Sequence, residues 1–131
     1  MKNPYAAYST ATQTVAKTRQ VVMLYDGIIR NLRQAVEAIE AKDYETRYNR
    51  LHKASEITIG LQMSLDFDSG GKTAQTLYDF YAYVDATLMR LQRTNNVEEC
   101  QALIEEVKKM RDVWDEIDRG ETTQPVTSVS E

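Results

Sequence analysis

The chain holds one histidine, His52, and one cysteine, Cys100, and that scarcity bounds the chemistry it could carry. A zinc site needs several His or Cys ligands at set spacing, which one of each cannot supply. Di-iron helical bundles use Glu-x-x-His pairs with inward carboxylates, and here the residue three before His52 is Asn49. Gly70-Gly71-Lys72-Thr73 ends like a phosphate cradle, but no strand precedes it and the upstream glycine is absent. It reads instead as a turn between helices. Cys100 reads as a small buried apolar side chain, and without a disulfide partner it gives no sign of an oxidising compartment. The expectation is a protein with no enzymatic activity, metal or cofactor.

Binding is the better-supported chemistry. Eight tyrosines in 131 residues are a heavy load. Each offers an apolar ring with a polar tip, suited to a core layer or to a wettable docking face. Tyr78, Tyr81 and Tyr83 crowd one segment with Leu77, Phe80, Val84, Leu88 and Met89, and together they cover more than one helical stripe. A bundle helix needs an apolar arc of only about 100°. Two of these rings are therefore expected outside the core, bordering a groove for an amphipathic helix. Tyr5 and Tyr8 stand three apart on a Thr-, Ser- and Ala-rich N-terminal segment, and one helical turn would put both on one side.

The elements that position these residues follow from apolar spacing. Val21, Tyr25, Ile28, Leu32, Ala35 and Ile39 make a helical stripe, widened by Val22, Ile29 and Val36 at seven-residue spacing. That helix is expected to have neighbours on two sides. Asp43 can cap a second helix bearing Tyr44, Tyr48, Leu51, Ser55, Thr58, Leu61 and Leu65 on one face. After the break at Asp68-Ser69-Gly70-Gly71, a third carries Leu77, Tyr81, Val84, Leu88 and Leu91. Asn96 and Glu99 suggest a capping box for a fourth, with Cys100, Leu103, Val107, Met110, Trp114 and Ile117. Gly27 and Gly60 sit inside helices at a cost of about 1 kcal/mol each, which suggests close approach of another backbone. Short connections make neighbours antiparallel. The expected fold is all-α: an antiparallel up-down four-helix bundle over residues 18–117, an aromatic arm or short helix over 1–17, and a disordered tail over 118–131.

Charge and hydropathy exclude other partners. The net charge of −4 argues against general nucleic-acid binding, which needs a basic face. No apolar run approaches the roughly 18–20 residues that cross a bilayer, and no signal-peptide core is present, so a soluble cytoplasmic protein is the default.

Two families share this architecture. Histidine phosphotransfer domains are four-helix bundles with one reactive histidine, and a signalling domain using His52 is the alternative reading. Their motif places Lys three and Gly four residues after the histidine, where this chain has Ser55 and Glu56. A surface histidine pairing with Glu56 explains His52 more simply. By contrast, Met23-Leu24-Tyr25-Asp26-Gly27-Ile28-Ile29-Arg30 resembles the first-helix signature of the FliS family, the flagellar export chaperones of flagellin. Ser64-Leu65-Asp66, Gly70-Gly71, Ala74, Leu77 and Tyr81 resemble its second signature, and Tyr5 and Tyr8 its aromatic N-terminal segment. The likeness runs over roughly residues 4–117. Thr76 and Ala82 depart from it, standing where that family usually has Asn and Asp.

The resemblance implies a cytoplasmic chaperone that binds the disordered C-terminal segment of flagellin, blocks premature polymerisation and delivers it to the flagellar type III export gate. It implies flagellin-binding roles for Tyr5, Tyr8, Tyr25, Leu77, Tyr78, Tyr81 and Tyr83. A co-chaperone and a homodimer are compatible with it, and no nucleotide is needed.

Overall fold

The computed structural model describes residues 4–121, with side chains from Lys17 onward. Four helices account for nearly all of it: α1 (Pro4–Glu40), α2 (Tyr44–Met63), α3 (Phe67–Thr94) and α4 (Val97–Asp118). α1 begins at Pro4, so the backbone of the expected arm is helical and continuous with the first bundle helix. The side chains of Tyr5 and Tyr8 lie outside the described residues, as do positions 122–131 of the expected tail.

α1 packs closely against both α2 and α4, α2 also holds α3, and α3 against α4 is the loosest of the four contacting pairs. Bonded partners run in opposite order along each adjacent pair. Between α2 and α3, Gln92 Nε2 donates to Tyr48 O, Ser55 Oγ to Asp85 Oδ1 and Gln62 Nε2 to Tyr78 O. Between α1 and α4, Cys100 Sγ lies 3.6 Å from Leu32 O, and Arg111 Nε donates to Asp26 Oδ1 at 2.9 Å. Tyr83 Oη to Glu106 Oε1 and Arg90 to Glu99 span α3 and α4 in the same sense. These are the pairings of antiparallel neighbours.

The α1 stripe is buried from Tyr25 to Ile39, and Val22, Ile29 and Val36 are buried with it, as a helix gripped on two sides requires. The α3 stripe Leu77, Tyr81, Val84, Leu88 and Leu91 is buried throughout, as are Cys100, Leu103, Val107 and Met110 of α4. α2 is phased differently from expectation. Its buried residues are Leu51, Ala54, Thr58 and Leu61, while Tyr44 and Tyr48 are half exposed. Arg47 and Arg50 turn inward in their place: Arg47 Nη1 donates to Asn95 Oδ1 at 2.6 Å, and Arg50 Nη1 to Gln34 Oε1 at 3.2 Å. Long aliphatic stems let such residues line a helix seam with their charged heads at its edge.

The connections are capped by short polar side chains. Asp43 accepts from the Thr46 hydroxyl and Thr46 N, and Asp66 from the Ser69 hydroxyl, Ser69 N and Asp68 N; the hydroxyl bonds first, then the backbone ones, hold both carboxyls below their ordinary value. Asn96 accepts from Glu99 N, but the reciprocal half of the expected capping box is absent. Glu99 is instead taken by the Arg90 guanidinium at 2.6 Å. Gly71, at φ 52° and ψ −125°, kinks the start of α3 in a region closed to other residues. A β-carbon on Gly70 would stand 2.9 Å from that of Ala74.

Candidate functional site: an open cleft at one end of the bundle

Helices α1, α2 and α3 do not close completely where α2 turns into α3. An open cleft of about 510 Å³ lies there, with Trp114 of α4 reaching in from behind. α1 contributes Val21 and Leu24, α2 contributes Gly60 and Leu61 near its end, the turn that follows contributes Leu65, and α3 contributes Ala74, Leu77 and Tyr81. Lys17, Gln20, Asp66 and Ser69 add polar groups. The cleft exists because small residues stand where three helices converge. A β-carbon on Gly60 would meet nothing within 4 Å, so the close approach expected there is open space. At Gly27 the expectation of close packing is met, since a β-carbon would lie 3.2 Å from Ile57 Cδ1.

Behind the cleft lies a pair of buried phenols. Tyr25 Oη donates to Tyr81 Oη at 2.8 Å, and the rings sit 6.2 Å apart at 58°. Burial pushes the Tyr81 phenol up to about 12, partly offset by the bond it accepts from Tyr25. Tyr25 is raised well above its ordinary value by burial, then by the Tyr81 charge and the proton it donates, while the nearby Trp114 N–H pulls it down. Even so, Trp114 Nε1 is buried without a well-formed hydrogen bond among the described residues.

The structure separates the residues expected to bind a partner. Leu77 and Tyr81 are buried and line the cleft. Tyr25 is 0% exposed and supports Tyr81 from within the core, so no partner reaches it directly. Tyr78 and Tyr83 are the exposed tyrosines of α3, at 41% and 45%, but they do not share a face. Tyr78 packs edge-on against Phe67 at 5.8 Å, whereas Tyr83 turns toward α4, donates to Glu106 and has its phenol raised chiefly by that bond. Tyr5 and Tyr8 remain outside the described side chains.

Other side chains were not anticipated from spacing. Leu24 and Trp114 border the cleft, and Tyr48, Ile59, Met63 and Met89 are exposed elsewhere on α2 and α3. The Gly60–Ser64 interval was the one available signal for the cleft, because a glycine inside a good helix is costly unless space is wanted there.

His52 is exposed, stacked on Tyr48 at 5.6 Å and 3.9 Å from Glu56, as a local surface pairing predicts. Among the described residues no cluster of His, Cys, Asp and Glu could hold a metal ion. No helix among them is long and apolar enough to cross a membrane.

Comparison with known proteins converges on one family. The family model described as flagellar protein FliS matches residues 1–121. The flagellar secretion chaperone FliS of Campylobacter jejuni is 29% identical over 119 residues, covering 90% of this chain and 93% of the relative. That of Vibrio cholerae is 28% identical over 97 residues, covering 74% and 71%. The Bacillus subtilis counterpart is 27% identical over 115 residues, covering 87% and 85%. With the two signature segments gathered around one cleft and a family match along nearly the whole chain, this four-helix protein belongs to the FliS family of flagellar secretion chaperones, which are not enzymes.

Proposed function

We propose that this chaperone works in the cytoplasm, capturing the disordered C-terminal segment of flagellin, keeping it from polymerising early and delivering it to the flagellar type III export gate. The observation that carries the proposal is the cleft. Val21, Leu24, Leu61, Leu65 and Leu77 present apolar surface in a concavity of about 510 Å³, large enough for several side chains of an amphipathic helix. A segment that folds as it binds must lose its chain entropy then, and this keeps the grip reversible for hand-over at the gate.

The exposed α3 rings extend the contact beyond the cleft. Tyr78 stands beside Phe67 at the α2–α3 turn, so a cargo leaving the cleft there meets two rings. The N-terminal segment with Tyr5 and Tyr8 covers or contacts the same cargo. Tyr48, Ile59 and Met63, left exposed on α2, are the surface on which a co-chaperone or second copy would dock.

Titration calorimetry with the flagellin C-terminal segment tests this directly. The wild-type protein should bind it and hold it monomeric in sedimentation. Tyr78→Ala should weaken binding by about 1–3 kcal/mol if the ring is a buried anchor. A folded wild-type protein that leaves the segment free to assemble would sink the proposal.

A further inference from the structure

The cleft is apolar along its walls but not at its floor. Tyr25 spends its proton on the Tyr81 oxygen, so that oxygen is already an acceptor and its own proton points elsewhere. No bond donated by Tyr81 is present among the described residues, although the side chain is only 2% exposed. Trp114 Nε1–H is directed at the Tyr25 oxygen but makes no well-formed bond to it, and Trp114 and Tyr81 both line the cleft. Buried donors left without well-formed acceptors are costly, and two such donors on residues that line one concavity call for a ligand atom.

We propose that the floor of the cleft is a hydrogen-bond donor subsite, where Tyr81 Oη–H and Trp114 Nε1–H select a cargo side chain ending in a carboxamide. This rests on the cargo reading above and adds the chemistry by which one position of the cargo is read. Donors facing the ligand exclude lysine and arginine, whose tips offer no acceptor. An aspartate or glutamate would give up more hydration than a carboxamide at the buried floor of this open cleft, and Lys17, the one cation lining it among the described residues, is itself exposed to water. The acidic residue lining the cleft, Asp66, already has its oxygens engaged by Ser69 and by the backbone of α3. A leucine would displace water from the two donors without replacing its bonds, and such a displacement loses affinity. An Asn or Gln oxygen satisfies them while its methylene stem packs on Leu77 and Leu61.

The test is a double-mutant cycle in titration calorimetry on the full-length protein. One arm is Tyr81→Phe, and the other replaces each Asn and Gln of the flagellin C-terminal segment by Leu in turn. Tyr81→Phe should weaken the native segment about 10-fold. One Asn or Gln replacement should weaken binding to wild type by a similar factor and have little further effect on Tyr81→Phe. Tyr25→Phe, which keeps the Tyr81 hydroxyl, should retain that coupling, separating donor recognition from core disturbance.

Trp114 is the only tryptophan, so its indole N–H gives a single nitrogen-15 signal. That signal should move downfield with the native segment and not with the coupled Leu variant. Purely additive losses across the panel, or a folded Tyr81→Phe that binds every segment like wild type, would overturn the subsite. N-methylacetamide, added without flagellin, distinguishes its failure from that of the cargo reading. A saturable indole shift lost in Tyr81→Phe supports the subsite even if the segment fails to bind, and its absence removes the subsite too.

Discussion

Gly60 offers a substitution that should separate stability from binding. It lies in the last turns of α2, where a glycine costs about 1 kcal/mol relative to alanine. A β-carbon there would meet nothing within 4 Å, so Gly60→Ala gains helix propensity without a steric cost in the bundle. The expected gain is about 1 kcal/mol, or a rise of about 3–5 °C in Tm for a chain of this size. Gly60→Leu should keep most of that gain, because leucine is also a good helix former. Its side chain, however, would stand in the cleft, in the space that Leu61, Leu65 and Leu77 enclose. Affinity for the flagellin segment should then fall by about 10-fold or more, since cargo and leucine need the same volume. Urea unfolding and titration calorimetry on the three proteins check both halves. A lower Tm for Gly60→Ala refutes the packing argument, and wild-type affinity for Gly60→Leu refutes the cleft as the cargo site.

Other expectations follow from the same geometry. Gly71→Ala should cost about 1–3 kcal/mol in urea unfolding, because φ 52° with ψ −125° is strained for any side chain. Burial holds the Tyr81 phenol near 12 against an ordinary value of 10.0, so the folded state keeps a proton that the unfolded chain loses. That stability is fully present below pH 10 and should be lost as pH rises towards 12, by about 2–3 kcal/mol. Tyr81→Phe should flatten the decline in denaturation curves taken across that range. Deleting residues 1–15 should leave the bundle helical by circular dichroism while changing flagellin affinity: tighter if the segment covers the cleft, weaker if it touches the cargo. Identical affinities would leave that segment with no part in capture.

Three of the four helices could be phased from spacing because their core positions are mostly aliphatic and recur without a gap, as with Leu77 through Leu91. α2 was misphased over its first turns. Tyr44 and Tyr48 count as apolar in a stripe, yet their hydroxyls let them face water, while Arg47 and Arg50 use aliphatic stems to line the seam. The α3 tyrosines were legible as an excess over one stripe, but not as two opposed sites. Residues 78 and 83 are five apart and diverge around the helix toward α2 and α4. The cleft was the least legible element. It is made by missing volume at Gly60 and Ala74 and by convergence of three helices, and neither leaves a periodic trace.

The packing order has a consequence for how the protein is made. α1 is held between α2 and α4, so its second face, through Val22, Ile29 and Val36, is covered by α4, the last of the described helices. As the chain leaves the ribosome, α1 can pair with α2 and α2 with α3, but one side of α1 stays bare until residues near Ile104 emerge. A nascent chain stalled before α4 should thus be sticky and protease-sensitive, and its core should close in a single late event. A chain of a chaperone family thus carries an unshielded apolar face of its own until α4 has emerged.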